Sequence, residues 1–161
     1  ACSAAGVCTV PADPVPLNGH GPSRLESEMT VATRANVKTL KHLYAQWAET
    51  KGASAQSIME ILAPNVIWGS LSAFSRTRRS RDEVGEYFRG LAESFTMNYY
   101  DVKEYVAAGP YVLMLGEVSF TNMKTGKAFI SPKADLWRFA GGKVVEFYEY
   151  FDTAAVMATA T

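Results

Sequence analysis

The amino-acid sequence predicts an α+β domain in which helices come first and a curved antiparallel sheet follows. In the first part of the chain, apolar residues recur every three or four positions over three stretches, which is the period of amphipathic helices. Beyond Phe95 the period changes to two, and four β-rich segments are separated by short turns. Because helices and strands occupy separate parts of the chain, we expect a curved antiparallel sheet packed on three N-terminal helices.

Each helix has recognisable start or stop residues. The first helix is predicted over about residues 33–51 and ends before a glycine. The second is short, with Ser54 as its N-cap and Pro64 as its stop. The third begins at Ser80, and Glu83 three residues later completes the spacing of a capping box.

One brief strand is predicted over Val66–Trp68, between the second and third helices. Of the four longer strands, the first two cover 99–107 and 111–121, and the last two form a hairpin around a Gly-Gly turn. A short helix over 153–160 ends the chain, and Asp152 is its predicted N-cap.

Size and composition fit one domain. The chain has 161 residues, 48% of them hydrophobic and 20% charged, and a chain of this length buries about two thirds of its unfolded surface. We expect a Pro- and Gly-rich arm over residues 1–30 and a single domain over 31–161. Cys2 and Cys8 lie in the arm and would form a disulfide in an oxidising compartment or remain thiols in a reducing one.

Charge and hydropathy argue against two classes of partner. The chain has 16 basic and 16 acidic residues, whereas nucleic-acid backbone binding requires an excess of Lys and Arg. No apolar run reaches the roughly 18 residues of a membrane-spanning helix. We therefore expect no nucleic acid and no membrane as partner. A cytoplasmic location is the default, with secretion after removal of a signal as the alternative.

Several motifs of common active sites are missing. No Gly-rich phosphate loop follows a predicted strand, and no Gly-x-Ser-x-Gly motif occurs. His20 and His42 have no acidic or Cys neighbours at metal-ligand spacing. We expect no metal site, and any chemistry is expected to need no cofactor.

The last hairpin carries the candidate site residues. Lys133 and Asp135 lie two residues apart on its first arm, so they share one face of the strand with Trp137. On the second arm the same alternation groups Glu149 with Val145, Phe147 and Phe151. A charge between apolar neighbours on a buried face is costly unless it is paired or used. The hairpin is therefore either the wall of a site or the place of a structural ion pair.

Two sequence words in this region resemble a known fold family. DLWRFAGGKVVEF is similar to the hairpin of ketosteroid isomerases, and EYFDTAAV is similar to the last strand of SnoaL-like polyketide cyclases and epoxide hydrolases. The order of helices and strands resembles the nuclear transport factor 2-like cone, which these enzymes share with scytalone dehydratases. The resemblance covers about Val37 to Ala158. It implies a hydrophobic pocket inside the cone, although this fold serves many chemistries and also proteins with none.

The resemblance to ketosteroid isomerases implies roles for two residues. In those enzymes a protonated Asp of the hairpin and a Tyr of the first helix donate hydrogen bonds to a dienolate oxygen. Asp135 and Tyr44 stand at the matching places. The general base of those enzymes ends the first short strand, where this chain has Ser70, with Trp68 just before it, and neither is a base near neutral pH.

The resemblance to epoxide hydrolases is also partial. Glu149 occupies the first place of EYFD, where those enzymes supply a carboxylate from the word Asp-Tyr-Phe-Asp. Their companion Arg-x-Asp would fall near Gly116 to Val118 and is absent. An epoxide hydrolase-like enzyme is thus a second alternative function.

The expected function is binding of a small hydrophobic, carbonyl-bearing or polycyclic molecule. As an enzyme it would be a cofactor-free isomerase, cyclase or dehydratase acting by proton transfer, with Glu149 as base and Asp135 and Tyr44 as donors to an oxygen. The residues expected to contact the substrate are Lys133, Trp68, Ser70, Trp137, Phe147, Phe88 and Tyr99. A non-catalytic small-molecule binding protein is the alternative from another class.

The opposite face of the same strands is apolar as well. It carries Ile130, Ala134 and Leu136 on the first arm and Tyr148 and Tyr150 on the second. A face of this kind is not usually left in water. Because two subunits meet at this face in the family that the chain resembles, we expect a homodimer.

Overall fold

The computed structural model describes residues 30–70 and 76–161 and has the α+β architecture that the sequence predicts. The helices of the described residues are α1 (Val31–Glu49), α2 (Ala55–Ile61), α3 (Arg81–Ser94) and α4 (Thr153–Ala158). The strands are β1 (Leu62–Ser70), β2 (Phe95–Ala108), β3 (Tyr111–Asn122), β4 (Ala128–Ala140) and β5 (Lys143–Phe151). The predicted N-terminal arm, with Cys2 and Cys8, lies outside the described residues except for Thr30.

The described strands form one sheet in the order β1-β5-β4-β3-β2. Strands β2 to β5 are antiparallel neighbours, and β1 pairs in parallel with β5. Pairing between β2 and β3 shifts register between Met97 and Tyr99 and again between Val102 and Glu104. Extra residues at such shifts bend a strand and increase its twist, which favours the curvature of the sheet.

The core lies between the concave face of the sheet and the helices. Leu40 of α1, Val84 of α3, Val112 of β3 and Val144 of β5 are completely buried there. Leu40 and Val84 lie on the apolar faces of their helices, where side chains repeat about every 3.6 residues. Val112 and Val144 lie at inward positions of their strands, where side chains alternate every two residues. None of the helices in the two described ranges is long and apolar enough to cross a membrane.

The predicted caps agree with the structure at two helices and differ at a third. Ser80 accepts a hydrogen bond from the backbone N–H of Glu83 at the start of α3, and Asp152 accepts one from Ala155 at the start of α4. Ser54 precedes α2 as expected, but its side chain makes no capping hydrogen bond.

The strand β1 is longer than the sequence predicts. It covers nine residues, Leu62–Ser70, rather than only Val66–Trp68. Pro64 therefore lies inside the strand and does not end α2, which already ends at Ile61. A proline is tolerated here because β1 is an edge strand, where a backbone N–H can be missing without breaking the sheet.

The predicted alternation along β5 holds only for its C-terminal part. Phe147 and Glu149 are buried, but Val144 takes the buried place that the sequence assigns to Val145. The register with β4 shifts between Arg138 and Phe139, which leaves one extra residue on β5. A single inserted residue moves the side chains before it to the other face of the sheet.

Candidate functional site

A cavity of about 540 Å³ lies between the concave face of the sheet and the helices. Its volume falls within the range of about 300–1,000 Å³ that is usual for small-molecule sites. Most of its wall is apolar or aromatic, and all of the described helices and strands contribute to it. Of the side chains singled out in the sequence, the wall contains Tyr44, Trp68, Phe88, Lys133, Asp135, Trp137, Phe147 and Glu149.

The structure does not confirm two residues that the sequence places at the site, Tyr99 and Ser70. Tyr99 is not part of the cavity wall, and its hydroxyl donates to Glu117 Oε1 at 2.7 Å on the neighbouring strand. The register shift after Met97 changes the alternation of β2, so that Tyr100 takes the place in the wall. Ser70 ends β1, and the placement of its side chain lies outside what the structure describes.

Three charged side chains of the last hairpin meet at the cavity wall. Asp135 on β4 and Glu149 on β5 are directly opposite each other in the antiparallel register. The Lys133 ammonium contacts Asp135 Oδ1 at 3.1 Å and forms a shorter ion pair with Glu149 Oε2. Only 8% of Lys133, 2% of Asp135 and 6% of Glu149 is exposed, so the three charges compensate one another away from water.

Tyrosine hydroxyls donate to one oxygen of each carboxylate. Tyr44 of α1 and Tyr100 of β2 each donate to Asp135 Oδ2 at 2.6 Å. Tyr87 of α3 donates to Glu149 Oε1 at 2.8 Å. Asp135 therefore receives hydroxyls from α1 and β2, and Glu149 receives one from α3, which fixes the orientation of both carboxylates in the cavity wall.

Trp137 positions one of these hydroxyls. Its indole Nε1–H donates to the Tyr44 oxygen at 2.9 Å, and the two rings meet edge to face with their centroids 6.0 Å apart. Trp137 lies two residues beyond Asp135 on the same face of β4. Trp137 thus donates to Tyr44, and Tyr44 in turn donates to Asp135, so the three side chains form one hydrogen-bonded series.

Burial and charge determine the protonation of the cluster. Burial raises the pKa of the Asp135 carboxyl, although the Lys133 ammonium and the hydroxyl donors act in the opposite direction. Burial alone would lower the pKa of Lys133, but the neighbouring Asp135 and Glu149 carboxylates outweigh it and hold that pKa above its usual value. Lys133 is therefore a cation, and Asp135 is a carboxyl that takes up a proton more readily than an exposed aspartate.

The three tyrosines remain donors at neutral pH. Burial, followed by the charge of Asp135, raises the pKa of Tyr44 and of Tyr100 well above the usual value of 10.0. Burial and the charge of Glu149 do the same for Tyr87. The Arg78 guanidinium lies in the same wall, 4.7 Å from the centroid of the Tyr87 ring.

Sequence reasoning missed Tyr87 and Tyr100 as site residues. Tyr87 belongs to the apolar stripe of α3, where its hydroxyl gave no local sign of a polar partner. Tyr100 directly follows Tyr99, and strict alternation allows only one of the two to face the cavity. The two adjacent tyrosines indicate that one of them faces the cavity, but only the register of β2 shows which one.

Comparison with known proteins agrees with the architecture described above. The model of the SnoaL-like domain family matches residues 30–147 of the chain. No curated protein matches it. A solved NTF2-like protein from Burkholderia thailandensis is 26% identical, with a TM-score of 0.68, and the match covers 83% of this chain and 99% of that one.

Two further solved structures show the same fold at lower identity. A candidate SnoaL-like polyketide cyclase from Jannaschia sp. CCS1 is 16% identical, with a TM-score of 0.72, over 82% of this chain and 95% of its own. A candidate polyketide cyclase from Streptomyces antibioticus is 18% identical, with a TM-score of 0.59, over 77% of this chain and 96% of its own. At these identities the likeness concerns the fold alone.

Proposed function

Since the chain belongs to the SnoaL-like domain family, we propose that its cavity binds a small hydrophobic, carbonyl-bearing or polycyclic molecule and acts on it by proton transfer without a cofactor. The observation that carries this proposal is the buried cluster of Lys133, Asp135 and Glu149 in the wall of an otherwise apolar cavity. Isomerisation, dehydration and aldol-type cyclisation can each begin with removal of a proton beside a carbonyl group. A positioned carboxylate in a dry site is suited to that step.

Glu149 is the proposed base. Its carboxylate is oriented from one side by the Tyr87 hydroxyl and from the other by the Lys133 ammonium. A base with a fixed direction lowers the entropic cost of reaching a near-attack geometry. The apolar walls would hold the carbon frame of the substrate, so that recognition and proton removal occur in the same cavity.

Asp135 and Tyr44 are the proposed donors to the substrate oxygen. Asp135 donates only when it carries a proton, and burial raises its pKa in that direction. Tyr44 donates to Asp135 in the structure, and once Asp135 is protonated the substrate oxygen can take over as the acceptor. Donors aimed at developing negative charge in a dry site contribute about 2.7–4 kcal/mol each. The Lys133 ammonium would stabilise the same charge.

Two near-isosteric variants, Glu149→Gln and Asp135→Asn, test the catalytic assignment. Ligands are first identified by the rise in melting temperature that they cause in a panel of steroids, terpenoids and aromatic polyketides. We expect kcat to fall by about 10²–10⁴-fold in Glu149→Gln, since general base catalysis supplies that range. Glu93→Gln, on the exposed side of α3, is the matched control and should not change kcat. Unchanged turnover in both cluster variants would contradict the assignment.

A non-catalytic binding protein is the second candidate. It is favoured by the fact that the charges of the cluster are paired with one another and with tyrosine hydroxyls, as in a polar network that only supports structure. The two candidates differ in one measurement. A binding protein would show ligand-induced stabilisation of the wild type but no turnover of any stabilising ligand.

We further propose that two copies associate through the outer face of the sheet. Ile130 and Tyr150 are 59% and 41% exposed on that face, and Ala134, Leu136 and Tyr148 beside them are half-buried. Burying these side chains against a second copy would remove an apolar patch from water. Light scattering at micromolar concentration measures the mass, and a monomer would contradict the proposal.

A further inference from the structure

The short segment before α3 is bound to the edge strand β1 at one residue. The backbone N–H and C=O of Arg78 pair with those of Trp68, both at 2.9 Å, as in an antiparallel ladder. Residues that pair directly in this way carry their side chains on the same face of the ladder. Both side chains belong to the cavity wall. The backbone of Arg78 is therefore held by β1, and its side chain lies beside Trp68 in that wall.

The Arg78 guanidinium lies over the ring of Tyr87. Its central carbon is 4.7 Å from the ring centroid, which is within the distance of about 6 Å that a cation–π contact requires. The guanidinium Nη1 also donates to the backbone oxygen of Arg76 at 3.1 Å. Trp68 and Phe88 pack against the same tyrosine ring, with centroids 5.9 and 5.3 Å away. Arg78 thus supplies a charged contact to a ring that is otherwise held by aromatic packing.

The Tyr87 hydroxyl connects this arrangement to the proposed base. It donates to Glu149 Oε1 at 2.8 Å, while the Lys133 ammonium holds Oε2. Burial and the Glu149 carboxylate raise the pKa of Tyr87, and the Arg78 guanidinium acts in the opposite direction. A hydroxyl polarised by a nearby cation is a stronger hydrogen-bond donor. Arg78 therefore strengthens the hydrogen bond that Glu149 receives from Tyr87.

The ionisable side chains around Glu149 come from several elements of the described structure. They are Lys133 and Asp135 on β4, Tyr100 on β2, Tyr87 on α3 and Arg78 before α3. A hydrogen bond to the charged form of a carboxyl favours that form. Removing the Tyr87 hydroxyl or the Arg78 charge therefore changes Glu149 from the helix side, and leaves its ion pair with Lys133 in place.

We propose that Arg78 is a positioning residue for Glu149: it is fixed to β1, it holds the Tyr87 ring, and through the Tyr87 hydroxyl it keeps the Glu149 carboxylate ionised and oriented in the cavity wall. This inference rests on the proposed function, in which Glu149 is the base. Arg78 acts on the base through Tyr87 and does not itself contact the substrate.

The titration of the Glu149 carboxyl tests the series without a substrate. NMR of the protein with ¹³C-carboxyl-labelled glutamate gives the signals, and Glu149→Gln identifies the one from Glu149. Tyr87→Phe keeps the ring and removes the hydroxyl, so we expect the midpoint to rise by about 1–2 pH units. Tyr99→Phe removes a hydroxyl that donates to Glu117 outside the cavity wall, and this matched control should leave the midpoint unchanged. An unmoved midpoint in Tyr87→Phe would overturn the proposal.

A double-variant comparison tests whether Arg78 acts through Tyr87. Arg78→Gln removes the charge, and we expect the Glu149 midpoint to rise by about 0.3–0.7 pH unit. In the Tyr87→Phe background the same change should move it by less than about 0.2 pH unit, since the hydroxyl that transmits the effect is absent. Equal rises in both backgrounds, or no rise in either, would overturn the series. Arg78→Lys keeps a charge and should shift the midpoint less than Arg78→Gln, whereas Arg79→Gln, on an exposed neighbour, should not shift it.

Kinetics separate positioning from direct substrate binding. With a substrate from the ligand panel, Arg78→Gln should lower kcat by about three- to tenfold and change KM by less than twofold. A raised KM with unchanged kcat would mean that Arg78 binds the substrate and would overturn the assignment. If the midpoints move as expected but Glu149→Gln leaves turnover unchanged, the series stands and only the base of the proposed function is wrong. If Glu149→Gln abolishes turnover and the midpoints do not move, only this inference is overturned.

Discussion

Replacing Lys133 with methionine tests how the structure tolerates two carboxylates in one buried place. Asp135 and Glu149 face each other across β4 and β5, and the Lys133 ammonium contacts both. Methionine keeps most of the side-chain volume, so the change removes mainly the charge. Breaking a buried ion pair by removing one partner costs about 3–5 kcal/mol. For a domain of this size that corresponds to a melting temperature about 6–20 °C lower.

The loss in Lys133→Met should depend on pH. Without the cation, the main effect that lowers the pKa of Asp135 is gone, so burial and the facing Glu149 carboxylate raise the folded-state pKa of Asp135 further. Groups of this kind stabilise the fold fully below their unfolded pKa of about 4, and the contribution is lost as pH rises through the folded value. The difference from wild type should therefore be small near pH 4 and large near pH 7.

Urea unfolding followed by circular dichroism between about pH 4 and pH 8 measures this difference. Lys38→Met, on the exposed side of α1, is the matched control and should change the free energy of unfolding by less than about 0.5 kcal/mol. A Lys133→Met variant that loses less than about 1 kcal/mol at pH 7, or the same amount at both ends of the range, would refute the reasoning.

Two further predictions concern the stability of the cluster at high pH and the packing around two glycines. The raised pKa values of Lys133 and of the three tyrosines that donate to the carboxylates predict a loss of stability as pH rises above about 10, by about 1.4 kcal/mol per pH unit for each group. Urea unfolding between about pH 9 and 11 measures it, and constant stability would be inconsistent with buried hydroxyl donors. Gly116→Ala should destabilise by about 1–3 kcal/mol, because a Cβ there would lie 2.4 Å from the backbone oxygen of Asp101. Gly90→Ala, which meets nothing within 4 Å on α3, should instead gain about 0.5–1 kcal/mol, and the same sign for both would refute the packing argument.

The features that the sequence predicts correctly are those that depend on local patterns. The helix periodicity, the Ser80 cap and the hairpin with its Gly-Gly turn each involve residues close together in the chain. The grouping of Lys133 with Asp135 follows from the period of two along one strand, and Glu149 comes opposite Asp135 because the hairpin fixes the register. Charged residues inside otherwise apolar strands stand out in a sequence, so Lys133, Asp135 and Glu149 could be singled out before the structure was known.

The features that the sequence does not predict depend on register shifts and on distant contacts. One shift in β2 decides that Tyr100, and not Tyr99, bonds Asp135, and a run of alternating residues does not show where such a shift occurs. The bond from Tyr87 to Glu149 joins residues 62 positions apart. The buried Trp68 indole Nε1 has no hydrogen-bond partner among the described residues, and this is a property of the packed fold that no local sequence pattern shows.

The burial of the cluster is the main physical argument for its use. Lys133 contacts both carboxylates, and tyrosine hydroxyls donate to each of them, so the three charges are compensated away from water. Taking ions out of water costs several kcal/mol each, and well-packed apolar side chains of similar volume would avoid that cost. Buried carboxyls with a shifted pKa, such as Asp135, are common in a cavity wall where a group takes up a proton or holds a ligand. The burial of three ionisable groups in one cavity wall therefore supports the proposed activity, and the Glu149→Gln and Asp135→Asn variants test it.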